Sequence, residues 1–292
     1  MKTQDFDAVA RTALLTTALR TRETARLDRL YADPYAEALA GAVGRNLFDE
    51  VARITGAHRP TVAPDGRKLP NTFDYNAIRT RFFDDWLATR LAEGHDQVVI
   101  GAAGMDTRAY RLTWPRAVTV YEVDRPAVLG YKRAALAGVE LAGNVERKLV
   151  GADLAADGWR PALAAAGFDF GRSSVWLLEG LLYYLDGDAV RRLLAGLGEA
   201  CAPGTHLACD LVNEVALSAP STRPLLRLFA DWGSPWLFGS DEPERMFASY
   251  GFDVAAVQPG ERGAHYGRWQ DTVIARDVPG VPRVFYVHGR RS

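Results

Sequence analysis

The chain has 292 residues, 48% of them hydrophobic, and a formal net charge of −1. This length is enough for one large domain, or for a domain with an additional lobe. The balance of acidic and basic residues gives no electrostatic reason to expect nucleic acid or a membrane surface as a partner. With only two cysteines, no signal-peptide pattern and no apolar run near ~20 residues, we expect a cytoplasmic protein without disulfides.

The N-terminal part of the chain predicts helices. Residues 5–53 have apolar side chains at helical spacing, and Asp33-Pro34 predicts a helix start with Asp33 as N-cap. Residues 56–70 are rich in proline and glycine and predict a mobile loop, whereas residues 73–91 predict another helix. We therefore expect residues 1–95 to form a helical lid.

From residue 97 onward, predicted strands alternate with predicted helices. The predicted strands are residues 97–100, 118–123, 146–150, 174–178, 206–211, 252–257 and 284–288. The clearest predicted helices are residues 126–136 and 188–202. This alternation predicts an α/β fold with a doubly wound, mostly parallel, seven-stranded sheet covered by helices on both faces.

The predicted elements suggest one domain that spans residues 1–292. Residues 96–212 and 251–292 would form its core. Residues 213–250, before the sixth strand, are rich in aromatic residues and prolines, and we interpret them as a helical insert that caps the substrate. Trp232 and Trp236 in this insert would form either an aromatic substrate wall or ordinary core.

The first two strands of the predicted sheet carry features of a nucleotide-binding unit. A turn of small residues with Gly101 and Gly104 follows the first strand, and the second ends in Glu122 and Asp124. Small residues let the backbone approach a ligand, and an acid about 20 residues further on accepts hydrogen bonds from ribose hydroxyls. Thr107 stands where a dinucleotide fingerprint has its third glycine, which argues against a pyrophosphate-binding enzyme.

The next two strand ends are also polar. Asp153 follows the third strand and Glu179 follows the fourth. A single acid after a strand is often no more than a helix N-cap. Because the carboxyl ends of parallel strands meet at one edge of the sheet, four such ends in succession favour a ligand site.

Several segments together identify a family resemblance. They are residues 79–85, 97–112, 122–126, 153–154 and 176–185, with Thr16 to Ala18 and Asp33-Pro34 near the start. In these segments the chain resembles the S-adenosylmethionine-dependent methyltransferases of the leucine carboxyl methyltransferase-like group, which have a class I, Rossmann-like fold. The family often has Gly-Ala-Gly where this chain has Ala102-Ala103-Gly104, and alanine still leaves room for the cofactor.

The resemblance implies which residues hold the adenosine part of S-adenosylmethionine. Gly101 and Gly104 would allow close approach of the backbone, and Asp124 would bind the ribose hydroxyls. Asp153 and Leu154 would contact the adenine.

The resemblance also implies how the amino-acid part of the cofactor is held. Arg79 would pair with the methionine carboxylate, as a guanidinium does in bidentate fashion, and Glu179 would lie near the amino group. Arg81 would share the role of Arg79, or would pair with Asp84 or Asp85 at helical spacing.

The sequence nominates no clear catalytic base. Tyr183, Tyr184 and His265 are weak candidates, and each is also typical of a structural or exposed position. The absence of an obvious base favours a carboxylate acceptor, which is already ionised at pH 7, over a hydroxyl. No Cys/His spacing is typical of zinc, and we expect no metal.

We therefore expect an S-adenosylmethionine-dependent O-methyltransferase that acts on a carboxylate or hydroxyl of a small molecule, such as a specialised metabolite. Two other readings stay open: an NAD(P)-dependent oxidoreductase and a non-catalytic relative that binds the cofactor. Since the resembling family also contains protein-carboxyl methylators, a peptide C-terminus is a further possible acceptor. The oligomeric state does not follow from the sequence.

Overall fold

The computed structural model describes residues 8–56, 61–66 and 68–292. Its helices are α1 (Ala8–Thr24), α2 (Ala36–Thr55), α3 (Thr72–Ala92), α4 (Arg108–Arg111), α5 (Pro126–Ala135), α6 (Trp159–Ala165), α7 (Gly187–Ala200), α8 (Arg223–Asp231) and α9 (Pro243–Ala248). Its strands are β1 (Thr61–Val62), β2 (Lys68–Leu69), β3 (Gln97–Gly101), β4 (Val118–Asp124), β5 (Val145–Gly151), β6 (Val175–Leu178), β7 (His206–Val212), β8 (Phe252–Val257) and β9 (Val284–Arg291). Short 3₁₀ turns lie at Leu182–Tyr184 and Glu214–Leu217.

Seven strands form one sheet in the order β5-β4-β3-β6-β7-β9-β8. The pairs among β3 to β7 are parallel, whereas β9 is antiparallel to both of its neighbours. The predicted seven-stranded, mostly parallel sheet is confirmed, and the predicted strand ends are correct to within one residue except that β9 continues to Arg291. From β3 the chain adds β4 and β5 on one side and then returns to add β6 and β7 on the other. At this switch point a crevice forms at the carboxyl ends of the strands.

The central strands are buried on both faces, as the covered sheet requires. All five residues of β3 and all four of β6 are buried. Side chains from alternate positions enter two core clusters, with Val98 and Ile100 on one face and Val99 on the other. Because both faces are covered, residues that point to either face are apolar, and these strands therefore form continuous apolar runs in the sequence.

Local capping signals determine where several helices begin. Asn71 caps α3 by accepting hydrogen bonds from the backbone N–H groups of Phe73 and Asp74, and Asp74 completes a capping box. Pro126 occupies the first position of α5, where a missing N–H costs nothing. Asp186 caps α7 through the N–H of Ala189.

The predicted helix start is wrong by two residues, because α2 begins at Ala36 with Tyr35, not Asp33, as its N-cap. The Asp33 carboxylate instead accepts a hydrogen bond from the N–H of Tyr35 and holds the turn before the helix. Its other oxygen accepts from Arg20 Nε at 2.8 Å and from Thr107 Oγ1 at 2.7 Å. Asp33 therefore ties α1 to the loop after β3.

The loop predicted for residues 56–70 contains a small hairpin. Thr61 pairs with Leu69 and Val62 with Lys68 in an antiparallel arrangement. Residues 57–60 and 67 of this predicted loop lie outside the described residues. Strands of two residues are too short to show an alternating pattern in the sequence. The prolines and Gly66 therefore dominate, and they predict only a turn.

The segment between β8 and β9 packs against the N-terminal helices. The guanidinium of Arg268 donates to both oxygens of Glu23 at 3.0 and 3.1 Å, and all of these groups are buried. It also donates to the carbonyl of Asp28. These bonds join the connection that precedes the last strand to the end of α1.

Across the described part of the chain, every helix is too short or too polar to cross a bilayer.

The small-residue turn after β3 stores backbone strain. Ala102 has φ = 51°, in the left-handed region that L-residues with a Cβ adopt only at a cost. Glycine at this position should raise the free energy of unfolding by about 0.5–1 kcal/mol, measured by urea denaturation of Ala102→Gly. The neighbouring Ala103→Gly is the control, because Ala103 is buried without a positive φ, and it should be destabilised. Equal destabilisation of the two variants would contradict this account.

Candidate active site

A cavity of about 250 Å³ lies at the carboxyl ends of β3, β4, β5 and β6. Its wall consists of residues from the segments 100–108, 123–125, 152–155 and 179–185 that follow these strands. Helix α1 contributes Thr12, Ala13, Thr16 and Arg20 above it, and α3 contributes Arg79. The structure therefore brings the four polar strand ends of the sequence together at one site.

The turn after β3 forms one wall of the cavity, and its two glycines serve different purposes. The backbone N–H of Gly104 donates to Asp124 Oδ2 at 2.7 Å, and its φ of 42° is left-handed. A Cβ on Gly101 would lie 2.5 Å from Leu178 Cδ2 and 2.8 Å from Leu154 Cδ1. Gly101 is thus required by the packing of two leucines beneath the turn.

The two acids at the end of β4 have different environments. Asp124 lines the cavity and accepts hydrogen bonds from the N–H groups of Gly104 and Arg125, while burial raises the pKa of its carboxyl. Glu122 is fully buried outside the cavity, where it pairs with Lys132 at 2.9 Å and Arg147 at 2.7 Å. Asp124 is therefore the acid that can meet a ligand.

The segment after β5 presents a polar and an apolar residue side by side. Asp153 is exposed at the cavity, and its Oδ1 accepts a hydrogen bond from the N–H of Ala155. Leu154 is 5% exposed and packs in the core below the cavity. This pair provides an acceptor group above an apolar surface, an arrangement suited to a flat heterocycle.

Alternating charges lie at the end of the cavity near β6 and β7, where Arg79, Glu179 and Arg108 line it and Asp210 is buried behind Arg79. Asp210 on β7, which is fully buried, accepts from Arg79 Nη1 at 2.8 Å, and Arg79 Nε lies 3.0 Å from Glu179 Oε1. The other oxygen of Glu179 accepts from Arg108 Nη2 at 2.8 Å. We call this row of four groups, Asp210–Arg79–Glu179–Arg108, the charge ladder.

Asp210 is the hub of this end of the site, and sequence analysis missed it. Besides Arg79, its carboxylate accepts from the hydroxyls of Tyr75 and Tyr183 at 3.2 Å and from the N–H of Gly180 at 2.6 Å. The only signal in the sequence is an acid within an otherwise apolar strand. Such an acid must find several donors when it is buried.

The other end of the charge ladder is held by two further acids that sequence analysis did not assign to the site. Arg108 Nε donates to Asp84 at 2.7 Å, and its Nη1 contacts Asp106. Arg111 donates to both oxygens of Asp84 at 2.7 and 2.8 Å. Burial alone would raise the pKa of Asp106, but Arg108 and Lys132 lower it to about 2.

The two tyrosines proposed as weak catalytic candidates both line the cavity. The Tyr183 hydroxyl donates to Asp210 and accepts from Arg79 Nη1 at 3.1 Å. Burial, reinforced by the Asp210 carboxylate, raises the pKa of Tyr183 well above its usual value. Burial likewise raises the pKa of Tyr184. Both phenols are therefore neutral at pH 7 and poor bases.

Two predicted site residues lie away from the cavity. Arg81 forms an ion pair with Asp85 at 2.9 Å and donates to the carbonyl of Leu30, so only the alternative of a helical ion pair agrees with the structure. Arg81 lies two residues after Arg79, so its side chain leaves the opposite side of α3 and is partly exposed. His265 is exposed, does not line the cavity, and accepts a hydrogen bond from the N–H of Gly267.

The segment predicted as a substrate cap, residues 213–250, contributes no side chain to the wall of this cavity. Trp236 packs on the outer side of Tyr183, with ring centroids 4.8 Å apart. Trp232 is buried against Phe229. The N–H of Leu237 donates to the carbonyl of Tyr183 at 2.7 Å. These residues support Tyr183 from behind instead of facing the cavity.

Helix α1 covers the cavity and is fastened to its wall. Arg20 Nη2 donates to the carbonyl of Met105 at 2.6 Å, while its Nε donates to Asp33. A Cβ on Gly104 would lie 3.3 Å from the Cβ of Ala13. The turn after β3 therefore lies directly beneath α1.

Comparisons with known proteins agree with this geometry. Residues 13–198 match the leucine carboxyl methyltransferase family. Proteins from Mycobacterium tuberculosis H37Rv and Mycobacterium bovis BCG Pasteur 1173P2, both named as candidate S-adenosyl-L-methionine-dependent methyltransferases, are 40% identical over 215 residues. That stretch covers 72% of this chain and 65% of the length of these relatives.

Two crystal structures share the fold. A candidate methyltransferase from Thermobifida fusca YX is 21% identical, with 92% of this chain and 96% of that chain covered and a TM-score of 0.55. A protein from Streptomyces avermitilis MA-4680 is 17% identical, with 92% and 98% covered and a TM-score of 0.58. The sheet topology is that of a class I methyltransferase, and the family match extends over more than half of the residues. The chain belongs to the leucine carboxyl methyltransferase family, whose cofactor is S-adenosylmethionine.

Proposed function

We propose that this protein transfers a methyl group from S-adenosylmethionine to an oxygen of a small molecule, with a carboxylate as the acceptor. The observation that carries the proposal is the cavity itself. Asp124 and the turn after β3 lie at one end, and the charge ladder lies at the other. Neither a nucleic acid nor a membrane is part of the proposal.

The charge ladder fits the amino-acid part of the cofactor. This part carries one carboxylate and one ammonium group, and a row of alternating arginines and acids offers a partner for each. The buried Nε of Arg79 makes no hydrogen bond of good geometry, even though Glu179 is only 3.0 Å away. An incoming carboxylate can satisfy Arg79 while the ammonium binds Glu179.

The opposite end fits the adenosine part. Asp124 is oriented by two backbone N–H groups, which leaves lone pairs on its oxygens for the ribose hydroxyls. Asp153 and Leu154 offer a polar edge and an apolar face for the adenine. These roles follow from the family resemblance, and the positions of the residues in the cavity support them.

The acceptor is inferred from the acid–base character of the remaining wall. Within the described residues, no histidine lines the cavity, and Tyr183 and Tyr184 have raised pKa values. Such phenols donate hydrogen bonds at pH 7 but do not remove protons. A carboxylate needs no deprotonation, and neutral hydroxyls can orient it, so it fits this wall better than an alcohol.

When bound, S-adenosylmethionine supplies an electrophilic methyl group. The chain's own contribution is to orient the acceptor through Tyr183 and Tyr184 and to exclude water with α1. Orientation of two reactants can lower a barrier by ~7–11 kcal/mol. Asp210 contributes indirectly, because its four hydrogen bonds hold Tyr183 and Arg79 in place.

The cavity favours a small acceptor, such as a specialised metabolite. Its volume of about 250 Å³ lies just below the ~300–1,000 Å³ of common small-molecule sites. Helix α1 must therefore move outward to admit cofactor and acceptor together. The aromatic residues behind Tyr183 could then form the acceptor side of the opened cavity.

Asp124→Ala should weaken the binding of S-adenosylhomocysteine by ~1–3 kcal/mol, because the ribose hydroxyls lose a charged acceptor. Calorimetric titration measures this loss. Asp253→Ala, at an exposed acid on the edge strand β8, is the matched control and should bind as the wild type does. Equal affinity of the two variants would remove Asp124 from the site.

Amide hydrogen exchange should slow in α1 when S-adenosylhomocysteine is added, because Thr12, Thr16 and Arg20 line the occupied cavity. Mass spectrometry of exchanged peptides measures this effect. Helix α9 is the internal reference and should not change. The lid role of α1 is contradicted when α1 and α9 respond alike.

Purified protein should transfer radiolabelled methyl from S-adenosylmethionine to members of a panel of small carboxylic acids. The label in these products should be released as methanol in mild base, because methyl esters hydrolyse there and methyl ethers do not. Base-stable label on a phenol would overturn the carboxylate assignment. Labelling confined to peptide C-termini would contradict a small-molecule acceptor. Binding of NAD or NADP instead of S-adenosylhomocysteine would overturn the proposed methyl transfer.

A further inference from the structure

Three side chains with metal-binding atoms meet at the amino ends of the strands, opposite the cavity. Glu93 follows α3, His95 precedes β3 and His206 is the first residue of β7. One ligand atom of each lies within 4.8 Å of the other two. Two distant parts of the chain supply these residues, so no Cys/His spacing in the sequence could reveal the cluster.

One pair of atoms in the cluster is already near the spacing of two ligands on a bound ion. His206 Nε2 lies 3.8 Å from Glu93 Oε2, and two ligands on one tetrahedral zinc ion are about 3.4 Å apart. The rings of His95 and His206 meet edge to face with centroids 5.0 Å apart. Glu93 is exposed and both histidines are half-buried, so small side-chain rotations can bring the three atoms together.

We propose that Glu93, His95 and His206 bind a divalent transition-metal ion, with Zn²⁺ as the best match. Two imidazoles and one carboxylate are ligands that suit this class of ion, and a water molecule would complete the coordination. The ion would join the end of α3 to the start of β7. The same two elements carry charge-ladder residues further from the ion, Arg79 in α3 and Asp210 in β7.

Arg90 opposes this site and gives the proposal a sharp consequence. Its Nη1 lies 3.3 Å from His206 Nδ1, and its Nη2 pairs with Glu93 Oε1 at 2.9 Å. A neutral imidazole that binds metal through Nε2 carries its proton on Nδ1. Since arginine can only donate, Arg90 must turn away from Nδ1 when the ion binds. Glutamine at position 90 offers an acceptor and removes a charge, so Arg90→Gln should bind metal more tightly.

The experiment is a calorimetric titration of the tag-free, EDTA-treated full chain with Zn²⁺. We expect saturable binding of one ion, and a fall in affinity of at least about tenfold in His95→Ala, His206→Ala and Glu93→Gln. His265→Ala, which removes an exposed histidine elsewhere, is the matched control and should keep the wild-type affinity. Melting temperature should rise with Zn²⁺ in the wild type and stay constant in the three ligand variants.

Circular dichroism in metal-free buffer shows whether each variant is folded, and the exposed Glu93→Gln keeps the test valid if a histidine variant unfolds. The proposal is overturned by the absence of saturable Zn²⁺ binding, or by wild-type affinity in any folded ligand variant. Weaker binding in Arg90→Gln would also count against it. None of these readouts depends on methyl transfer.

Discussion

The buried ion pair between Asp210 and Arg79 is the constraint on which the rest of the site depends. Asp210 lies in β7 and Arg79 in α3, and their side chains are 0% and 7% exposed, so both charges are almost completely removed from water. A buried charge is tolerated only with a partner and further hydrogen bonds. Tyr75, Tyr183 and Gly180 donate these bonds, and the same bonds fix the positions of these three residues.

The same requirement spreads along the cavity wall. Arg79 forms an ion pair with Glu179, Glu179 with Arg108, and Arg108 with Asp84. Each link joins a different element, so helices and strands are aligned by electrostatic compensation as well as by apolar packing. A wall with nearly balanced charge suits a zwitterion better than a simple anion. Family membership and the physical character of the wall thus point to the same class of cofactor.

The sequence predicts the sheet well because most of its strands are short apolar runs followed by a turn signal. Asp124 and Glu179 were found for the same reason, since they follow such runs. Asp210 was missed because it lies within a run, where its burial depends on donors from distant elements. Arg81 was included because helical spacing alone does not tell which of two nearby arginines faces inward. The position of His265 relative to the cavity depends on the backbone conformation of its loop, which no local sequence pattern specifies.

The position of β9 has a consequence for biosynthesis. Among the strands that the structure describes, β8 pairs with β9 alone, and β9 lies between it and β7. A chain emerging from the ribosome therefore exposes β8 as an unpaired edge until residues 284–291 have been made. The Arg268–Glu23 contact also forms long after α1 is made, because 245 residues separate the two partners. Both the pairing of β8 and the Arg268–Glu23 bonds at the end of α1 therefore depend on residues 268–291, which are made after β3 to β8.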